Sequence, residues 1–169
     1  TRRWAARHKQ IESMKYKSII VPHRGSPDVF KIVENDLRAP LPAEVRIKVI
    51  AVPVCLPDVQ ARYGQSPFPP KTPFVPGYAI VGIVDAIGKN VTDIVVGDRV
   101  AALTAYGGYS EYIFLKQNRL IQVPTNLDPA DVATIILNYV LAYQTLHRVA
   151  KVKIGDKILI IGASGGIGT

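Results

Sequence analysis

Lys157-Ile158-Leu159-Ile160-Ile161 runs directly into Gly162-Ala163-Ser164-Gly165-Gly166-Ile167-Gly168-Thr169, and the architecture turns on how these residues are read. The apolar, β-branched run, entered through Gly155-Asp156, has the pattern of a buried parallel strand. The glycine cluster after it has the pattern of a turn into a helix. Ala163-x-Gly165-x-x-Gly168 is the G-x-G-x-x-G fingerprint with alanine at its first position. Such a turn lets a pyrophosphate approach backbone N–H groups closely, because no Cβ stands in the way. The same glycines would also suit a flexible tail.

Upstream of this stretch the chain changes character at Pro124. Asp128 is placed to N-cap a helix, with Pro129 at its first position and Asp131 adding negative charge in the first turn. Residues 130–149 are apolar on so many sides that a helix there is expected to be buried against something large. Before Pro124 the pattern is short strands at residues 29–34, 44–54, 79–87, 99–103, 109–115 and 120–123, each rich in Val, Ile or Tyr. Prolines and glycines separate them, which predicts an all-β barrel or sandwich rather than repeated βαβ units. Residues 127–169 are too few for a complete dinucleotide-binding fold, so a second, α/β domain is expected to be truncated.

The 169 residues are 48% hydrophobic and 20% charged, which suits a globular protein with a real core and excludes wholesale disorder. One cysteine, Cys55, excludes a disulfide within the chain and suits a reducing compartment. No apolar run reaches the roughly 18–20 residues that a membrane span needs. A soluble, cytoplasmic protein is expected. The net charge of +8 is uneven: Arg2, Arg3, Arg7 and Lys9 against Glu12 put +3 of it in the first thirteen residues. No basic run with interleaved aromatics appears elsewhere, which argues against nucleic-acid binding. Met14 is the expected natural start, with residues 1–13 a leader or an appended extension.

Six ordered segments resemble the medium-chain dehydrogenase/reductase superfamily and, within it, the zinc-independent quinone oxidoreductase-like branch. They are Pro76-Gly77-Tyr78-Ala79-Ile80-Val81-Gly82-Ile83-Val84, Ile87-Gly88-Lys89-Asn90-Val91, Val96-Gly97-Asp98-Arg99-Val100, Gly107-Gly108-Tyr109-Ser110-Glu111-Tyr112, Asn138-Tyr139-Val140-Leu141-Ala142-Tyr143 and the glycine turn. The resemblance implies a GroES-like β-barrel domain at residues 14–126, lacking its C-terminal return. Residues 127–169 would then be the truncated start of a Rossmann domain: helix, strand, glycine-rich turn. It also implies hydride transfer from NADPH, with NADH as the alternative, to a quinone, enone or related carbonyl compound.

The same resemblance assigns the candidate sites. Zinc-dependent relatives use a Cys-His and a Gly-His-Glu segment, where this chain has Cys55-Leu56-Pro57-Asp58 and Gly77-Tyr78-Ala79. One thiolate cannot replace the three protein ligands of catalytic zinc, so no zinc is expected. Cys55 stands where the branch has a cleft-facing asparagine, and its other reading is a small buried hydrophobe. Asp58 and Arg62 are expected beside the cleft on a short helix, joined by an i,i+4 ion pair. Tyr63 and Tyr78 offer phenols, although most tyrosines of a β-rich chain serve packing. Asn138, inside an apolar helix, needs a partner for its amide and falls in the segment that the family places beside the nicotinamide. Leu141 replaces a threonine of that segment. Ala163, Ser164, Gly165, Gly166, Ile167 and Gly168 would hold the cofactor phosphates.

The apolar remnants of residues 127–169 are expected to pair between copies in a homo-oligomer. A second reading is a non-catalytic GroES-like module that acts through protein partners or, behind that, through nucleic acid.

Overall fold

The strands expected between residues 15 and 123 assemble into two antiparallel sheets in the computed structural model, which describes residues 14–168. The expected leader, residues 1–13, and Thr169 lie outside the described residues. Strands β1 (Lys15–Ile20) and β2 (Lys31–Asp36) form a hairpin in register from Lys15 opposite Asp36 to Ile20 opposite Lys31. The larger sheet holds β3 (Glu44–Ala51), β4 (Ala79–Ile87), β5 (Arg99–Leu103), β6 (Tyr112–Lys116) and β7 (Ile121–Gln122), in the order β6-β3-β4-β5-β7. The ladder does not close on itself. Isolated bridges, Ser18 to Ser110 and Val21 to Phe74, fasten the hairpin to the rest of the barrel.

Strand β4 shows how the period of two builds the core, because alternate side chains point to opposite faces of the sheet. Ile80 and Val84 face inward with Val45, Ile47, Val100, Ala102, Ile113 and Leu115. Ala79 and Val81 face outward, where Ala101, Ala133 and Ile136 cover them. Both faces are therefore dry, and each fully buried aliphatic side chain contributes about 1.5–3 kcal/mol relative to exposure. The covering residues Ala133 and Ile136 belong to helix α2 (Pro129–Tyr143), which lies across the sheet. A shorter helix, α1 (Leu56–Tyr63), sits between β3 and β4 in the chain.

The corner before β4 requires a glycine. Gly77 has φ +105°, and a Cβ there would lie 2.5 Å from both Gly108 Cα and Tyr109 N, which are backbone atoms that cannot yield.

Two expectations about the last forty residues need correction. The helix expected over residues 130–149 ends as α-helix at Tyr143 and continues as a π-helical stretch, Gln144–Val149. It is also less buried than its composition implies: Ala133 and Ile136 are buried, while Ile135, Tyr139, Val140, Leu141 and Tyr143 are exposed. Only the outer face of the sheet covers it, so one stripe is dry and the others are not. Residues 157–161 do not form a strand. A strand is defined by hydrogen bonds to a neighbour, and no described segment runs beside this one. The glycine cluster is a series of turns, with no helix following among the described residues.

Candidate active-site cavity

Helix α1 starts at Cys55, with Pro57 in its first turn, and stops at Gly64, whose φ of 73° ends it in the left-handed conformation. Asp58, three residues into the helix, accepts the Cys55 N–H at 3.1 Å on one oxygen, the carboxylate half of a capping box. Its other oxygen accepts the Gly77 N–H at 2.8 Å, and the Tyr109 hydroxyl donates to the same carboxylate. Asp58 thereby ties the start of α1 to the corner before β4. Burial pushes its pKa above the usual carboxylate range, and the hydrogen bonds from Gly77, Cys55 and Tyr109 pull back against that shift. Burial, reinforced by the Asp58 charge, also raises the Cys55 thiol and holds the Tyr109 phenol far above its ordinary value. Cys55 is therefore a neutral thiol at neutral pH, not a nucleophilic thiolate.

The i,i+4 ion pair expected between Asp58 and Arg62 is not made. Arg62 donates from Nη1 to the Gly25 carbonyl, and its guanidinium lies 4.4 Å from the Tyr63 ring centroid and 5.6 Å from that of Phe30. The spacing did place the two residues on one face of the helix, but that face, with Ala61 between them, is turned into the protein. Leu56, Pro57 and Gln60 occupy the opposite face. These three look into a cavity of about 530 Å³.

The far wall of this cavity comes from α2. The Asp128 carboxylate caps it as expected, accepting from Ala130 N at 2.7 Å and Asp131 N at 3.4 Å. Thr134, Leu137, Asn138 and Leu141 then follow at helical spacing along the cavity. Gly166 and Ile167 reach back from the glycine turn to complete it, and a Cβ on Gly166 would stand 2.7 Å from Asn138 Nδ2. A second cavity, about 700 Å³, lies between the end of α2 and the run from Ile158 to Gly162, with Asn138, Gly165, Gly166, Ile167 and Gly168 on its wall.

The structure thus brings Cys55, Tyr78, Asn138, Gly166 and Ile167 to one cavity. It places Asp58 and Arg62 behind the helix that lines it, and Ala163 and Ser164 on neither cavity wall. Gln60 and Tyr109 went unnoticed in the sequence. Gln60 could have been found from its shared helical face with Leu56, whereas no local signal announces that Tyr109 meets Asp58 from a distant loop.

A nicotinamide cofactor fits these residues in part. The cavity has apolar walls, the Asn138 amide, and a glycine where a side chain would obstruct. The turn itself is drawn together by Gly165 N–H to Gly162 O and Gly168 N–H to Gly165 O, both 2.9 Å. No helix N-terminus for a pyrophosphate follows it among the described residues. Among those residues there is also no group of three or more His, Cys, Asp or Glu placed to hold a metal ion. No helix there is long and apolar enough to cross a membrane.

Comparison with known proteins bears on this arrangement. Residues 41–125 match the alcohol dehydrogenase GroES-like domain family. Human quinone oxidoreductase is 36% identical over 147 residues, covering 85% of this chain and 44% of the relative. The crystal structure of human synaptic vesicle membrane protein VAT-1 homolog-like protein superposes with a TM-score of 0.86 at 30% identity, over 92% of this chain and 50% of that one. A mycobacterial protein solved with NADPH gives 0.79 at 32% identity, over 90% of this chain and 47% of that one. The chain spans about half the length, or less, of these proteins.

Proposed function

The chain belongs to the zinc-independent, quinone oxidoreductase-like branch of the medium-chain dehydrogenase/reductase superfamily, and from that premise we propose that it serves hydride transfer to a quinone, enone or related carbonyl compound. Residues 14–126 form the substrate-binding domain in this reading, and residues 127–169 open the cofactor domain. NADPH, when bound, supplies the hydride. NADPH is favoured over NADH because a relative of similar fold was solved with it. The observation that carries the reading is the 530 Å³ cavity, which gathers Cys55 and Tyr78 from one part and Asn138, Gly166 and Ile167 from the other.

Each residue then has a role that its surroundings permit. The Asn138 amide orients the nicotinamide end, and Gly166 leaves room beside it. Leu56, Leu137 and Leu141 exclude water from the reacting face. Cys55 contributes a neutral, polarisable wall. Asp58 and Arg62 act as positioning residues that hold the two ends of α1. Zinc has no part in this scheme, and the cytoplasm suits a chain with a protonated, unpaired thiol.

The exposed apolar residues Leu159 and Ile161, 85% and 90% accessible, favour association of two or more copies through residues 127–169. That association would cover the second cavity, whose wall includes both residues.

Titration with NADPH tests the reading. A ligand that binds only the folded state adds about 2.7 kcal/mol of stability at a hundred times its Kd. Saturable quenching of cofactor fluorescence, a raised melting temperature and quinone-dependent NADPH oxidation are expected. An unchanged melting temperature at millimolar NADPH would leave the barrel fold standing and overturn the redox reading in favour of a non-catalytic module that acts through protein partners.

A further inference from the structure

The cavity between α1 and α2 carries no charged side chain on its wall. That is informative in a chain with 21 Lys and Arg, because an anionic substrate would call for one of them. Its polar groups are uncharged; besides the Asn138 amide, assigned above to the nicotinamide end, the Gln60 amide and the Tyr78 hydroxyl have no hydrogen-bond partner among the described residues. Both are donors held on rigid supports. The Tyr78 carbonyl accepts Thr104 N–H at 2.8 Å and Ala105 N–H at 3.3 Å, and the Thr104 hydroxyl donates to the neighbouring Gly77 carbonyl at 2.5 Å. Gln60 rides on α1. The Asp58 carboxylate bonds Cys55 N–H and Gly77 N–H together, so the segments that carry the two donors are clamped by one buried group.

The geometry points to Gln60 and Tyr78 as the pair that anchors the oxygen of an uncharged carbonyl substrate with an apolar frame, and to exclusion of carboxylate-bearing substrates from the same cavity. This rests on the carbonyl-reducing reading above and deepens it. A carbonyl oxygen has two lone pairs, which a phenol O–H and an amide N–H can satisfy together. Leu56, Leu137 and Leu141 supply the surface for the frame. A carboxylate there would be desolvated without a cation to pair with.

Duroquinone is a suitable probe, because its four methyl groups block addition of the Cys55 thiol. Binding without NADPH is followed by isothermal titration, and the carbonyl stretching band of the bound quinone by infrared difference spectroscopy. The band is expected at lower wavenumber than in free quinone. Tyr78→Phe and Gln60→Leu should each weaken binding by roughly three- to tenfold, the loss of one hydrogen bond, and each should return part of the band shift. The anion 2,3,5,6-tetramethylbenzoate, of the same frame, should bind at least about tenfold more weakly than duroquinone, as expected for an unpaired buried charge.

Absence of duroquinone binding, a band that neither substitution moves, or equal affinity for the benzoate would each overturn the inference. If Gln60→Leu fails to fold, Gln60→Met, which keeps the length of the side chain, carries the same readout. NADPH oxidation measured on the same protein separates the two readings. Quinone bound with a band shift that responds to both substitutions supports the oxygen anchor even where no NADPH is consumed.

Discussion

Asp58 is 5% exposed and accepts hydrogen bonds from the backbone N–H groups of Cys55 and of Gly77, the latter nineteen residues away, so it holds geometry rather than presenting charge to a substrate. Its folded-state pKa is raised, chiefly by burial, which fixes the sign of its pH effect. Between the unfolded pKa, about 4, and the folded one, the native state binds more protons than the unfolded chain. The stability that Asp58 contributes is complete below about pH 4 and is lost as pH rises through the folded-state value. Asp58→Asn turns an amide toward a backbone N–H and should cost about 1–3 kcal/mol. That deficit should be largest near pH 4 and shrink toward neutral pH, because the variant lacks the titration. Urea unfolding of both proteins across that range checks it, and a deficit that grows with pH would contradict the assignment. The residue's place on a short helix was legible in the sequence, its partners were not. An i,i+4 partner was expected from spacing, but Gly77 and Tyr109 come from other loops.

At the scale of elements, helix ends were more legible than helix faces. Asp128 and Pro129 announce the start of α2 through chemistry confined to four residues, and the cap forms as that chemistry requires. Asp128→Ala should destabilise the protein by about 0.5–2 kcal/mol, read as a lower melting temperature with reduced helical circular dichroism before the main transition. The same logic failed for the body of the helix. Apolar composition does not say how much of a helix a neighbour covers, and α2 has one covering sheet and exposed flanks where burial against something large was expected. In α1 the heptad-like positions could be sorted into Leu56, Pro57 and Gln60 against Asp58, Ala61 and Arg62, but nothing local says which set meets the cavity.

For the whole molecule, the exposed apolar residues between α2 and the glycine turn have consequences in solution. Leu159 and Ile161 are largely accessible, and residues 157–161 offer unpaired backbone groups beside them. The sedimentation coefficient should rise with protein concentration, and Leu159→Lys should suppress the rise, since an edge lysine opposes strand pairing. A coefficient independent of concentration in the unmodified chain would count against association through this segment.

Local patterns were enough to establish a mainly β fold before Pro124, the N-cap of α2 and the family, because each depends on neighbours within a few positions or on a motif quoted whole. The orientation of α1, the clamp from Asp58 to Gly77 and Tyr109, the place of Gln60 in the cavity and the lone course of residues 157–161 came from packing across the chain. The reason is physical. A periodic pattern defines which side chains share a face, but the free energy that turns this face inward or outward arises only when distant segments compete to cover it.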